Sequence, residues 1–511
     1  MSLYALLLIL SYWTRTRSKP GLFPADFKVL EVKAIAGERL LQSSVRLAYK
    51  EYASDRDEHR LAVVLLHGSP GQSRDLASLA THLAGSYRLI APDLPGFGQS
   101  THEVPDYSIR AYARYVLQML DRLNLQQVHL VGFSMGGGVA LNIADLAPSR
   151  LASLTMLSAI GVQEMELFGD YRLNHLLHGI QLAGLWLLRE GLPQMGLLDD
   201  VALGVPYARN FYDSDQRPLR GILTRYEGPM LIIHGRSDML VPVEAALEHY
   251  RLVPQSNLYL LNENHFAVFT NTASLMPRLK NFLAQVDTGR ALTRAAAEPK
   301  RLAQASLPFD PTDVPKAMGV AALILVLLIA SATFVSEDLT CIAVGVMVAE
   351  GRIDFLLGTF ACFLGIYVGD LLLFAAGRIL GRPALKRVPL KWFIREQDLQ
   401  RSSAWFTHQG MKVIAASRFL PGTRLPTYFA AGLLNTHFWR FTLYFFLASA
   451  VWTPMLVGLS AGLGGEVVHC ALFKGHHLIL KLFVGGGVAF LTTRLLLALT
   501  SYKGRRLLVS S

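Results

Sequence analysis

The sequence predicts two folds in one chain: an α/β domain with a mostly parallel sheet and a helical cap, then an all-α integral membrane domain with two re-entrant segments. Three observations carry this reading. Residues 60–287 alternate strand and helix signals, the pattern of a parallel sheet with helices on both faces. One of these strands runs straight into Gly132-Phe133-Ser134-Met135-Gly136. From about residue 317 long apolar runs replace the alternation. The 511 residues, of which only 17% are charged against about 25% in soluble domains, therefore average a soluble half with a membrane half.

The leading segment, 1–59, opens with the apolar "MSLYALLLILSYW" followed by the basic "TRTRSK". A full span needs ~20 residues, and a signal peptide carries its positive charges before the apolar run. An interfacial or short anchoring helix with a cytoplasmic continuation fits better, the alternative being a span truncated by a wrong start site. Basic residues elsewhere flank apolar spans, where the positive-inside rule puts them. The net charge of +11 thus reads as membrane topology, not as a nucleic-acid footprint. Cys341, Cys362 and Cys470 all fall in the apolar half without metal-ligand spacing, so neither a metal nor a disulfide framework is expected.

Within 60–287, "LAVVLLHG" (61–68) is a buried strand, "YRLIAPDLPGFGQS" (87–100) a strand and turn, and 107–125 a helix with Tyr112, Val116, Leu120 and Leu123 at helical spacing. Strand 127–133 leads into the Gly-x-Ser-x-Gly turn. A serine on a tight strand-to-helix turn needs small neighbours, and its hydroxyl then stands at a helix N-terminus that favours developing negative charge. A serine nucleophile needs a base and an orienting acid. Asp238 follows strand "PMLIIHG" and His265 follows strand "NLYLL". The order Ser134, Asp238, His265 is nucleophile, acid, base. Asp213 and Asp215 are alternative acids without a strand-end setting. Residues 161–227 interrupt the sheet pattern with leucine- and methionine-rich helices, a cap of about that extent. An apolar cap implies an apolar acyl or alcohol group, unless those leucines only pack the cap to the core.

On these motifs residues 60–287 resemble the α/β-hydrolase family. "HGSPGQ" (67–72) resembles its oxyanion-hole loop and "DLPGFGQS" (93–100) its Asp-x-Pro-Gly-x-Gly-x-Ser turn. The resemblance implies that the N–H groups of Ser69 and Met135 form the oxyanion hole, that His67 is structural, and that no cofactor takes part. The serine at the elbow disfavours relatives with an aspartate nucleophile. It favours esters, thioesters, amides or carbon–carbon cleavage.

Residues 288–316, with four prolines and mixed charges, read as a linker. The membrane half, 317–511, begins with the uncharged span 317–335. Glu337 and Asp338 follow, then an apolar piece, 338–350, too short to cross. Span 355–377 contains Asp370, and a basic loop lies between Arg378 and Arg401. The segment "MKVIAASRFLPGTRLPTYFAAGLLN" is apolar at both ends and broken by Arg418, Pro421, Gly422, Arg424 and Pro426. Arginine in hydrocarbon costs about 2.5–3.5 kcal/mol even on the lenient scale. Broken backbone at membrane depth survives only inside protein or along a wet cavity. The segment is therefore expected to enter and leave on one side. Spans 441–465 and 478–500 complete the count, which places hydrolase, basic loop and C-terminus in the cytoplasm.

Residues 316–465 resemble the DedA (VTT, SNARE-associated) family through Glu337-Asp338, Gly369-Asp370…Phe374…Gly377-Arg378…Gly381 and "SRFLPGTRLP…AG". That family is associated with moving lipids, including polyprenyl-phosphate carriers, across bilayers. The resemblance implies two facing re-entrant segments. Arg418 and Arg424 suit a lipid phosphate, and Glu337 and Asp370 would pair with them in the empty state or carry protons, unless the four charges only pair internally to fix the re-entrant fold. The expected protein is a membrane-bound serine hydrolase of an ester or acyl substrate fused to a lipid-transporting domain, in a bacterial inner membrane. The alternative is a lipid transporter or scramblase whose hydrolase is regulatory or acts on an unrelated soluble ester. Expected partners are the acyl-ester substrate and membrane lipids, not nucleic acid, and a homo-oligomer stays open.

Overall fold

The structure, a computed structural model, describes residues 3–16, 24–52, 60–166, 169–196, 204–309, 319–334, 336–349, 351, 353–381, 400, 413–414, 417, 424–434 and 436–469. The chain divides into two compact units, Met1–Pro315 and Lys316–Ser511.

The first unit opens with helix α1 (Leu3–Thr16) and is built on one eight-stranded sheet. Its strands are β1 (Lys28–Ala36), β2 (Arg39–Tyr52), β3 (Ala62–Leu66), β4 (Leu89–Pro92), β5 (Val128–Phe133), β6 (Leu151–Leu157), β7 (Met230–Gly235) and β8 (Asn257–Leu261). They lie in the order β1-β2-β4-β3-β5-β6-β7-β8. The hairpin β1–β2 is antiparallel, as is the β2–β4 pairing, and the remaining pairs are parallel. The sheet therefore begins at Lys28, not near residue 60, and β6 is a strand the sequence reading left unassigned. Strands β3, β5 and β7 are buried at every residue, as central parallel strands covered on both faces must be.

The period of two divides β3 between two cores. Val64 and Leu66 pack with helices α3 (Ile109–Arg122) and α4 (Met135–Leu146), while Val63 and Leu65 pack with α2 (Ala77–Ala84) and the later helix α10 (Thr272–Asp287). The Ser108 hydroxyl caps α3 by accepting the Ala111 N–H at 3.1 Å, a contact of about 1 kcal/mol.

The cap is narrower than 161–227. Helices α5 (Tyr171–Gly191) and α6 (Val205–Asp213) form it, whereas α7 (Arg217–Arg225) buries Leu219, Ile222 and Leu223 in the main core. Helix α8 (Val243–Leu252) follows β7, and the short α9 (Ala267–Thr270) follows β8. The linker reading also needs revision for its first half. Helix α11 (Pro299–Ala305) belongs to the first unit: Arg251 donates to the Gln304 and Leu307 carbonyls, and Arg301 stacks 3.5 Å over the Tyr250 ring.

The second unit contains α12 (Gly319–Thr333), α13 (Glu337–Ala349), α14 (Phe355–Leu380), α15 (Arg424–Leu433) and α16 (Phe438–His469). Among the described residues, two helical stretches, Phe355–Leu380 and Phe438–Gly462, are long and apolar enough to cross a membrane. The 13 residues of α13 rise only about 20 Å, less than the ~30 Å hydrocarbon layer. Glycines sit at the crossings. A Cβ on Gly365 would lie 2.3 Å from the Ala330 carbonyl oxygen, on Gly377 2.2 Å from that of Phe429, on Gly432 2.0 Å from that of Phe374, and on Gly345 2.4 Å from the Ser460 Cβ. Small residues of this kind let membrane helices meet backbone to backbone. Arg418, Pro421-Gly422, the basic loop from 382 to 399 and the final span 478–500 lie outside the described residues.

Candidate active site

Ser134 stands between β5 and α4 with φ +53° and ψ −118°, a strained conformation for a residue with a side chain. Its neighbours show why glycines are required. A Cβ on Gly132 would lie 2.5 Å from the Gly136 carbonyl oxygen, and one on Gly136 would lie 2.4 Å from that of Leu66. The elbow is half-buried and is tied down by the Ser134 N–H donating to the Leu157 carbonyl at 3.0 Å.

Asp238 and His265 leave the carboxyl ends of β7 and β8, which are neighbours in the sheet, and β5 ends at the same edge two strands away. His265 Nδ1 lies 2.8 Å from Asp238 Oδ2. Asp238 Oδ1 accepts the backbone N–H groups of Leu240 and Val241, each at 2.9 Å. Burial opposes ionisation of Asp238, but hydrogen bonds from His234 and His265 outweigh it and hold the carboxyl well below the usual range. An ionised Asp238 fixes the proton of His265 on Nδ1 and leaves Nε2 free to accept one. The Phe133 ring lies 5.0 Å from that of His265, centre to centre.

The loop after β3 lies against the elbow, since a Cβ on Gly68 would fall 3.0 Å from the Ser134 Cβ. That places Ser69 beside Ser134, with Met135 opening α4. His67 is structural. Its Nε2 accepts the Leu94 N–H at 2.9 Å, so its Nδ1 donates to the Gly68 carbonyl at 2.7 Å, and burial pushes its pKa down. Asp93 braces the same loop by accepting the N–H groups of Ser73 and Gln99, both at 2.7 Å. The alternative acids are committed elsewhere: Asp213 to Arg209 and Asp215 to Arg217.

The sequence reading missed His234. Its Nε2 lies 2.9 Å from the Val241 carbonyl and 3.3 Å from Asp238 Oδ2, behind the acid. A histidine inside the buried run "MLIIHG", four residues before Asp238, was the signal.

In the second unit Arg424 donates to Glu337 at 2.8 Å and to both oxygens of Asp338 at 2.9 and 3.1 Å. These three residues and the buried Asp370 line one cavity of about 530 Å³ with Gly365 and Gly369. Four of the five charged residues expected to act together are thus brought together, and Arg418 lies outside the described residues.

Residues 62–179 match the family model for the alpha/beta hydrolase fold, and residues 334–462 match that for the VTT domain. The chain is 30% identical over 230 residues to the dihydrolipoyllysine-residue acetyltransferase component of the acetoin cleaving system of Pseudomonas putida. That match covers 39% of this chain and 57% of the relative, so the chain spans little more than half of that protein's length. It is 27% identical over 246 residues to 2-hydroxymuconate semialdehyde hydrolase of Pseudomonas putida, covering 44% of this chain and 87% of the relative. A thermophilic esterase from Thermogutta terrifontis, solved with malate bound, aligns at 21% identity with a TM-score of 0.39, over 51% of this chain and 99% of the esterase.

Proposed function

We propose that the chain is a membrane-bound serine hydrolase of an ester or acyl substrate, with Ser134 as nucleophile, His265 as base and Asp238 as the group that orients and charges the base. The observation that carries this is the 2.8 Å contact of Asp238 with His265 at neighbouring strand ends, set on the sheet edge that also ends in the strained Ser134. His265 Nε2 takes the Ser134 hydroxyl proton as Oγ bonds to the acyl carbon. The carbonyl oxygen becomes an oxyanion held by the N–H groups of Ser69 and Met135, and the N-terminus of α4 favours that charge. The proton passes to the leaving alcohol. Water, deprotonated by the same imidazole, then releases the acid. One oxyanion donor contributes about 10²–10³ in rate.

The VTT half is assigned a role in lipid movement. The Arg424–Glu337–Asp338 cluster and Asp370 around a cavity support this, because intramembrane charges are functional by default. The same cavity favours a second reading, a lipid transporter whose hydrolase is regulatory. The hydrolase is placed on the cytoplasmic face of a bacterial inner membrane, supported by the basic residues before the first span.

The test compares full-length protein with Ser134→Ala in detergent on esters of graded acyl length. The hydrolase reading requires that the variant lose several orders of magnitude of rate. Ester hydrolysis that survives in the variant, or is absent from both, would reject it and leave the transporter reading.

A further inference from the structure

Exposed apolar side chains cluster on α1, on the cap helix α5 and on the loops that carry Asp238 and His265. Helix α1 is inverted for a soluble helix. Its polar groups face protein. The Ser11 hydroxyl accepts the N–H groups of Gln194 at 3.1 Å and Met195 at 2.9 Å, and Arg15 pairs with Glu190 at 3.3 Å. The Tyr4 and Tyr12 hydroxyls donate to the Gly191 carbonyl and the Glu190 carboxylate. Its apolar groups face out, with Leu6 and Trp13 about half exposed. On α5, Leu176, Ile180 and Leu187 recur at helical spacing and are 58%, 57% and 60% exposed. The loops beside the triad continue the pattern. Met239 and Leu240 follow Asp238, and Phe266, whose ring lies 5.4 Å from that of His265, follows it directly. Removing such side chains from water is favourable, so a cluster of them marks an interaction surface.

Three features commit this surface to a lipid bilayer. The same chain carries a VTT domain, and only residues 306–318 separate α11 from α12, a reach of at most about 45 Å. The polar face of α1 is held by the cap while its apolar face is exposed. Such a helix lies along an interface. Arg172 stands exposed at the start of α5, and Arg17 and Lys19 follow α1 in sequence, a charge that suits anionic headgroups.

We infer that α1, α5 and the loops beside the triad lie in the interface of an anionic bilayer, so that acyl substrate reaches Ser134 from the lipid phase. What the surface delivers rests on the serine-hydrolase reading; that it lies in lipid does not.

Full-length protein with Cys341→Ala, Cys362→Ala and Cys470→Ala receives Leu10→Cys, Leu187→Cys or, as control in the β1–β2 hairpin, Leu40→Cys. Each is labelled with a polarity-sensitive fluorophore and reconstituted into phosphatidylethanolamine–phosphatidylglycerol vesicles. At 10 and 187 the emission is expected to shift to the blue and to be quenched by lipid-borne nitroxide rather than iodide, with the reverse at 40. Equal iodide quenching at all three sites overturns the inference. Shielding of 10 and 187 from both quenchers also overturns it, because protein (a second copy or the membrane unit) then covers the surface. In a second arm, Leu10→Asp with Leu187→Asp should lower hydrolysis of a vesicle-borne long-chain ester about tenfold or more and leave a soluble short-chain ester within about twofold. Equal losses on both esters overturn it. Wild-type protein without Ser134-dependent hydrolysis of either ester would count against the hydrolase reading alone, since the fluorescence arm needs no turnover.

Discussion

At the scale of single residues, the account rests on Asp238 and on what surrounds it. Asp238→Asn keeps the shape but reverses the preferred histidine tautomer, and the expected loss in kcat is on the order of 10⁴ with little change in KM. Steady-state kinetics on a soluble ester checks it. His249 gives a test of the buried chemistry. Burial, and after it the neighbouring His234, hold its pKa down at about 3 against an ordinary 6.5, with Glu248 opposing and Arg220 adding to the effect. Between those values the unfolded chain binds the extra proton and the folded chain does not, so stability rises with pH through that window and is complete above about 6.5. Going from pH 7 to pH 5 should remove about 2 kcal/mol through this one group. Denaturant titrations of His249→Gln should show a flatter acid limb than wild type. Ser134, Asp238 and His265 were legible because each ends a strand in a fixed order of motifs. His234 left one sign, its place inside a buried strand run four residues before Asp238, and His249 left none, because a histidine on a helix of mixed polarity carries no local sign of what it faces after folding.

At the scale of elements, motif-bearing strands were legible and the others were not. The β1–β2 hairpin alternates weakly and carries many polar residues on an edge, so 28–52 read as a leading segment. The run "LASLTML" of β6 has no turn chemistry to separate it from a helix. The cap boundary failed for a related reason: α7 lies in the same interruption of the strand pattern as α5 and α6, and only packing shows that α7 belongs to the core. In the second unit the glycines of the α14–α15 crossing make the sharpest prediction. A methyl group on Gly432 would sit 2.0 Å from the Phe374 carbonyl oxygen, on backbone that cannot yield without parting the helices. Gly432→Ala should lower the melting temperature of the detergent-solubilised protein by several degrees. Gly462, which meets nothing within 4 Å, should accept alanine with little change.

At the scale of the whole molecule, the composition shift near residue 317 located the joint, and the structure divides at Pro315–Lys316. Composition located it because spans of ~20 apolar residues have few soluble counterparts. It could not show that α11 closes onto the hydrolase, since a short polar helix and a linker look alike until their arginines find carbonyls and rings. The whole account turns on one expectation, that Ser134 is a working nucleophile of the first unit. The most direct test is to treat full-length protein with a fluorophosphonate, which phosphonylates only an activated serine, and to locate the adduct by peptide mass spectrometry. The account predicts one adduct, on Ser134, that is lost in His265→Ala. An adduct on another serine, or none, would contradict it.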